Sequence, residues 1–436
     1  MTERSLKIKP QKEIVKDTPN TAKSEVARSQ ERDPYYTHGK LERYNLRIRE
    51  SADIRPRNKQ LFLVFVKWLT SDATTVKSES RVLKYYRHFW LILRLCSKDM
   101  DTMTRQDVAE LLDKIKAQKT CGGKPYSPAT YADFLRLIKI FWKWMKTAGE
   151  SLPLEVKWIK VTDPPNKIKA ENIPTEQEIH AMREAMRNPR DKALIMVMKE
   201  SGWRIGEHLE TKIKNVSYTN DGLELNVLSP KTGELLWTLL IEAVPWLRLW
   251  LENHPDKNNP EAYLWVTTYK GTPTRITHTT ILNLLKNAAA RAGLSKRIHP
   301  HIFRDYRVKE LLLGKPEQGI TPLHPETVRR IMGWKSMKML ERYGQFTNSD
   351  LRDIYLRFSG KKQVEVKPAS APTKPCPICT FENPSDTTRC LKCARALNLN
   401  AALQDEQKRK RELAETVFQI LRQYGVQINE KALTLL

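Results

Sequence analysis

Four stretches of this sequence place cationic, imidazole and phenol side chains where they could work on a phosphate: SGWRIGEHLETKIKNV (201–216), SPKTGE (229–234), HPHIFRDYRVKELLLG (299–314) and MGWKSMKMLERYGQF (332–346). An apolar helix over Asp191 to Glu200 breaks at Ser201-Gly202, and a new helix starts close to Arg204. There a planar guanidinium lies beside free backbone N–H groups and the positive end of a helix dipole, a setting that suits a phosphate. Glu207, one turn on, is placed to hold that guanidinium, although a surface Arg–Glu pair is the commoner use of this spacing. Leu223, Leu225 and Val227 alternate with Glu224 and Asn226, which predicts a strand, and Leu235 to Ile241 predicts a second. SPKTGE is then the turn between them, with Lys231 at a hairpin tip, where most lysines only add solubility. His301 and Arg304 share one face of a helix that Pro300 starts and Gly314 ends, aiming an imidazole and a guanidinium at one anion. Gly333 closes a helix begun at Pro325, Trp334 follows, and Tyr343 stands nine residues later on the next helix. Each signal is ambiguous alone: Trp334 would serve as core packing, and Tyr306 and Tyr355 rival Tyr343.

A second chemistry lies near the C-terminus. Cys376-Pro-Ile-Cys379 and Cys390-Leu-Lys-Cys393 are two CxxC knuckles ten residues apart. Each knuckle brings two thiolates to one ion, and four thiolates close a tetrahedral structural zinc shell with no open position for catalysis. So small a module buries little core, and metal binding would supply most of its folding free energy. It resembles small zinc ribbons and Ran-binding-protein-type fingers, including Asn383 four residues after Cys379. Such modules bind DNA, RNA or protein. Cys96, in an apolar stretch, and Cys121, before a Gly-Gly turn, are bystanders.

The elements that must position these groups follow from the rest of the chain. Its 436 residues suggest two or three domains, and 40% hydrophobic content is enough for real cores. A net charge of +26 calls for a polyanionic partner, nucleic acid first, because neutralising phosphates releases condensed counterions. No run approaches the ~18 apolar residues of a membrane span. The N-terminus lacks a signal peptide's apolar core, and Glu3, Glu13 and Asp17 interrupt any transit-peptide pattern. The expectation is a soluble cytoplasmic protein, associated with the nucleoid, in which six cysteines do not form a disulfide framework.

Residues 1–33 read as a flexible basic arm. Across 34–150, Phe62, Phe65 and Leu69, then Tyr86, Phe89 and Leu93, then Val108, Leu111 and Ile115, then Phe134, Ile138 and Phe141 recur at helix spacing, predicting an all-α domain. Residues 151–174 combine Pro153, Pro164, Pro165 and Pro174 with Lys157, Lys160, Lys167 and Lys169, and read as a basic linker. A second domain spans 175–358. A linker at 359–375, the zinc ribbon at 376–397 and a helical tail at 398–436 complete the chain. In the tail Leu413, Val417, Ile420, Leu421 and Tyr424 fall at helical spacing behind a charged segment, suiting either docking or packing on the same chain. The fold class is mainly α: an all-α first domain, an α+β second domain with a small antiparallel β-hairpin sheet, and a small ribbon.

Taken in this order, Arg204, hairpin Lys231, His301-Ile-Phe-Arg304, Trp334 and Tyr343 resemble the tyrosine recombinase (phage integrase) family, over about three quarters of the chain. Arg204-Ile-Gly-Glu207 is similar to the family's first arginine box, and Gly333-Trp334 to Tyr343 has its nine-residue step to the nucleophile. Trp334 stands where most members have His, Asp305 replaces a common histidine, and the segment between Gly314 and Pro325 is longer than usual. Appended ribbons of this kind are found on archaeal integrase-like proteins, which points to an archaeal or archaeal-virus source.

The resemblance implies a helical core-binding domain and a catalytic domain that close on duplex DNA, and homo-tetramers on paired recombination sites. It implies that Tyr343 attacks a phosphodiester to give a 3′-phosphotyrosine, conserving bond energy without ATP. Arg204 and Arg304 would clamp the non-bridging oxygens, with Trp334 donating to one of them, so that no cofactor or divalent metal is needed for catalysis. Lys231 would protonate the leaving 5′-oxygen, and His301 would take the tyrosine proton or hold the phosphate. The C-terminal helix or the ribbon would offer a site for an accessory protein. The alternatives are a type IB topoisomerase, a non-catalytic zinc-ribbon DNA-binding protein on a recombinase scaffold and, more remotely, an RNA-binding protein.

Overall fold

Side-chain caps, prolines and left-handed glycines set where the elements begin and end. The structure, a computed structural model, describes residues 33–72, 76–162, 170–269, 271–344, 346–361 and 373–423. They fall into two compact units, 32–167 and 168–436. Apart from Asp33, the basic arm lies outside the described residues.

The first unit is helical: α1 (Thr37–Glu50), α2 (Pro56–Lys67), α3 (Glu79–Leu95), α4 (Arg105–Ala117), α5 (Pro128–Thr147) and the single turn α6 (Leu154–Lys157). Thr104 and Asp107 form a reciprocal capping box on α4, and Ser127 caps α5 with Pro128 in its first turn. Phe62, Phe65, Phe89, Phe141 and Trp142 are fully buried. Phe62 stacks on Phe89 at 4.9 Å and Phe65 meets Phe141 edge-on at 5.1 Å. The predicted linker at 151–174 needs correction here. Val156 on α6 and Ile159 just after it are buried in this core, so the stretch to Ile159 is part of the first unit despite its prolines. Pro153 precedes a helical turn, a place where proline costs nothing.

The second unit opens with α7 (Glu176–Glu184), the buried α8 (Pro189–Ser201) and α9 (Ile205–Glu210). Strands β1 (Val216–Tyr218), β2 (Leu223–Leu228) and β3 (Leu235–Leu240) form an antiparallel sheet in sequence order, with Val227 opposite Leu236. Then come α10 (Val244–Glu252), the hairpin β4 (Val266–Tyr269) and β5 (Thr272–Arg275), α11 (His278–Arg291), α12 (Pro300–Leu313), α13 (Pro325–Ile331), α14 (Lys338–Tyr343) and α15 (Asn348–Phe358). One core joins α7, α8, α10, α11 and the sheet, and a smaller one joins Val308, Val328, Met332, Trp334 and Tyr343. At the end of α8, buried Lys199 bonds Glu176 at 2.6 Å and also Glu242. Glu200 accepts the N–H groups of Ile241, Glu242 and Ala243 at 2.7–3.1 Å. These two charged residues fix the corner from which α9 departs.

Strands β6 (Thr373–Pro375) and β7 (Glu382–Pro384) pair antiparallel in the cysteine module, and α16 (Leu399–Gln423) follows it. The predicted linker at 359–375 is corrected at its end, because Thr373–Pro375 pair with the knuckle strand. Residues 362–372 and Tyr424 onward lie outside the described residues, as do the side chains of Ile420 and Leu421.

Candidate active site

Gly202 ends α8 at φ 59, and a Cβ there would lie 2.8 Å from the Cβ of Arg307, so no other residue turns this corner freely. Arg204 follows in extended conformation at the N-cap of α9. Glu207 is buried and holds Arg204 twice: one carboxylate oxygen accepts its backbone N–H at 2.6 Å, the other its guanidinium at 3.0 Å. That second oxygen also accepts the hydroxyl of buried Ser229 at 2.9 Å. Ser229 is the first residue of the β2–β3 turn, which its backbone closes through Ser229 N–H to Glu234 O (2.8 Å) and Gly233 N–H to Ser229 O (2.9 Å). Lys231 stands exposed on that turn.

Arg304 is fully buried one turn into α12. Its guanidinium donates to Gly202 O at 3.0 Å and Met332 O at 2.5 Å, tying the α8–α9 corner to the end of α13. Burial and the neighbouring Arg204 charge lower its pKa to about 10, which still leaves it charged at neutral pH. Gly333, at φ 61, turns the chain under the side chain of Leu236, which a Cβ would meet at 2.6 Å. Trp334 follows, buried, its indole N–H without a hydrogen-bond partner.

Tyr343 ends α14, 2% exposed. Its ring stacks on Trp334 at 5.1 Å with the planes 18° apart, and Arg304 lies 5.7 Å from its centroid. Its hydroxyl is 2.7 Å from His301 Nε2. Burial, and then the charges of Arg342 and Arg304, press the His301 pKa down to about 4. The imidazole is therefore neutral at pH 7 and can accept the phenolic proton.

Contacts thus gather Arg304, Trp334, His301 and Tyr343, with Arg204 joined to the same corner through Gly202. No hydrogen bond or ion pair joins Lys231 to them; the Ser229–Glu207 bond ties its turn to the arginine. The rivals are placed elsewhere: Tyr306 bonds Glu310 at 3.2 Å, and Tyr355 is 75% exposed. Sequence reasoning missed Ser229, since a serine beside a turn proline carries no signal of a partner 22 residues away. Asp305 is 1% exposed with both carboxylate oxygens unpartnered, and burial pushes it up to about 7. The long segment after Gly314 is anchored by Lys315, which pairs with Glu176 at 2.9 Å, Glu310 at 3.1 Å and Glu242 at 3.4 Å.

Two groups of side chains have ligand-like spacing among the described residues. In the first, Cys376 and Cys393 sulfurs are 3.7 Å apart and Cys379 and Cys390 sulfurs 3.6 Å. A tetrahedral zinc with Zn–S bonds of about 2.3 Å has edges of roughly 3.8 Å, whereas a disulfide needs about 2.05 Å. Asn383, fully buried, points its amide N–H at the Cys390 sulfur at 3.6 Å, as expected beside a thiolate ligand. The second group, Glu176, His180 and Glu242, already has Lys199 and Lys315 as counter-charges and gains little from a cation.

An arginine pair, a neutral histidine and a buried phenol converge on one corner, a set of groups chemically suited to covalent phosphoryl transfer. Residues 173–349 match the phage integrase family. A tyrosine recombinase of Thermosipho africanus is 21% identical over 230 residues, covering 52% of this chain and 77% of that protein. Tyrosine recombinase XerA of Saccharolobus solfataricus is 24% identical over 217 residues, covering 49% and 67% respectively. Among solved structures, a lambda integrase tetramer bound to a Holliday junction shares the fold at a TM-score of 0.50 and 15% identity, over 66% of this chain and 78% of that one. The stretch 173–349 is thus similar to the phage integrase family, and about half of the chain is similar to tyrosine recombinases.

Proposed function

We infer that this protein is a site-specific DNA recombinase that cuts and rejoins duplex DNA through a 3′-phosphotyrosyl intermediate. The observation that carries this reading is the 2.7 Å contact between the Tyr343 hydroxyl and a histidine kept neutral beside two arginines. His301 takes the phenolic proton as Tyr343 attacks phosphorus and the bond to the 5′-oxygen breaks. Arg204, Arg304 and the free indole N–H of Trp334 bind the non-bridging oxygens, where charge grows in the transition state. Lys231 gives a proton to the departing 5′-oxygen. The phosphotyrosine keeps the bond energy, so rejoining needs neither ATP nor a divalent metal.

In the first unit, Lys40, Arg43, Arg47 and Arg87 line a groove of about 310 Å³, which supports its role as the core-binding domain on a phosphate backbone. On α15, Leu351, Ile354, Tyr355 and Phe358 form an exposed stripe at helical spacing, which supports assembly of protomers into a tetramer on paired sites. Cys376, Cys379, Cys390 and Cys393 hold one structural Zn²⁺. An accessory protein would find the outer face of the ribbon or of α16. No described helix is long and apolar enough to cross a membrane. A protein that acts on DNA would work in the cytoplasm with the nucleoid.

The test is to incubate wild type and Tyr343→Phe with sheared source DNA, denature, and sequence what remains attached. Wild type alone should hold DNA, at one or two loci. Scattered adducts would indicate a type IB topoisomerase, and no adduct with intact binding would indicate a non-catalytic DNA-binding protein.

Ser229→Ala should slow cleavage roughly fivefold, the worth of one hydrogen bond of about 1 kcal/mol. If Ser229 acts by placing the Lys231 turn, a 5′-thio leaving group, which departs without a proton, should restore the variant to wild-type rate. A defect that persists on the thio substrate would assign Ser229 to Arg204 alone.

A further inference from the structure

Arg183 of α7 is a cation buried where four elements meet, 4% exposed. Its guanidinium lies 4.6 Å from the ring centroid of Trp246 on α10 and reaches the Met196 sulfur on α8 at 4.0 Å. It pairs with its neighbour Glu184 at 2.7 Å and with Asp386 of the cysteine module at 3.7 Å. A second pair of opposite polarity joins Lys392 of the module to Glu252, at the end of α10, at 3.0 Å. Between them, Leu249 of α10 packs against the module's apolar cluster, and Leu391 of the module packs against the main core. The module's own buried apolar cluster is small, built on Cys376, Phe381 and Cys390, so this contact is a large part of its packing.

We propose that the four-cysteine module is an internal brace, docked on α7 and α10 of its own chain, that holds the α8–α9 corner carrying Arg204. The path is continuous. Helix α8 is held at Met196 by Arg183, at Lys199 between Glu176 of α7 and Glu242, and at Glu200 by the backbone leading into α10. Loosening α7 from α10 therefore loosens the support of Gly202 and Arg204. The face of the module toward α10 is committed to this contact and is closed to DNA or a second protein. The dependence of the brace on metal rests on the zinc reading; the docking itself does not.

The test uses the full chain, with zinc measured per protomer and hydrogen exchange followed by peptide. Asp386→Arg combined with Lys392→Glu keeps all four cysteines but opposes like charges across both pairs. It should retain one zinc while exchange over 181–186, 246–253 and 199–206 rises roughly tenfold, as local opening becomes easier. Adding Glu252→Lys should restore part of the protection by re-forming one pair in reverse. Removing zinc from wild type with a chelator should reproduce the faster exchange in the same peptides. Exchange confined to 373–398 in both experiments would overturn the proposal and leave the module a tethered appendage. A wild type without zinc, but with the reversal variant exchanging faster over α7 and α10, would uphold the brace and remove only its metal dependence.

Discussion

Arg304→Ala is expected to slow formation of the phosphotyrosyl adduct by roughly 10²–10³-fold, the cost of losing one preorganised donor to a developing oxyanion, and to lower the melting temperature as well. The two effects have separate causes. The rate falls because a buried guanidinium 5.7 Å from the Tyr343 ring, proposed to bind the scissile phosphate, is gone. Stability falls because Arg304 is also the donor to Gly202 O and Met332 O, both otherwise inside the protein. A buried carbonyl left without its donor costs about 1–3 kcal/mol, which for a domain of this size is several degrees. Arg204 offers the contrast. Its side chain is partly exposed and, among the described residues, bonds Glu207 alone, one turn away, so Arg204→Ala should lose a comparable rate with a smaller thermal shift. Arg304→Lys keeps the charge but cannot reach both carbonyls, and most of the rate defect should remain. Single-turnover cleavage of a nicked suicide substrate and a thermal melt measure the two quantities. An Arg304→Ala protein that cleaves within threefold of wild type would remove Arg304 from the clamp. One that melts like wild type would show that its carbonyl bonds do not support the fold.

This dual use explains which parts of the site could be read from the sequence. Local physics writes local signals: Thr104 and Ser127 with their caps, Pro128 and Pro300 in first turns, Gly202 and Gly333 at positive φ all announce element ends within a few residues. The order of the arginine, hairpin lysine, His-x-x-Arg and tyrosine stretches is likewise visible along the chain. What holds them is not. Arg304 meets Gly202 across 102 residues, and a buried arginine bonded to two carbonyls has no sequence pattern of its own. Helix α1 buries only Thr37 and Ile48, so no apolar stripe marked it. The brace residues Arg183, Asp386, Glu252 and Lys392 look like any solvated charges until the fold sets them in pairs. Proline misled in the other direction, because Pro153 starts a packed turn in a stretch that read as linker.

The cleavage step should also survive acid better than a histidine-dependent reaction normally does. At pH 5 a histidine of ordinary pKa near 6.5 is about 3% neutral, whereas His301, at about 4, is about 90% neutral. In its proposed role as acceptor of the Tyr343 proton, His301 therefore remains in its working form some thirtyfold more at that pH. The acid limb of kcat/KM, which reports the free enzyme, should bend near pH 4 to 5. Burial is the first cause of the shift and Arg342 the second, so Arg342→Ala should move the limb toward 6.5 and Arg342→Lys should leave it in place. Stability runs against this tolerance. The unfolded chain takes up a proton at His301 from pH 6.5 downward while the folded one refuses it to about 4, so the residue's contribution is present above 6.5 and lost across that window. His208, fully buried and held to about 3, loses its contribution over the same range and beyond. Asp305, raised to about 7, works oppositely, since its folded form holds a proton that the unfolded chain has released. The measurement is initial cleavage rate at subsaturating suicide substrate from pH 3.5 to 8, with melting temperature followed in the same buffers. A wild-type limb centred at 6.5 would mean that His301 titrates as an exposed imidazole and would take the proton-accepting role away from this buried contact. A limb near 4 that Arg342→Ala moves upward would tie the nucleophile's activation to the charges packed around it.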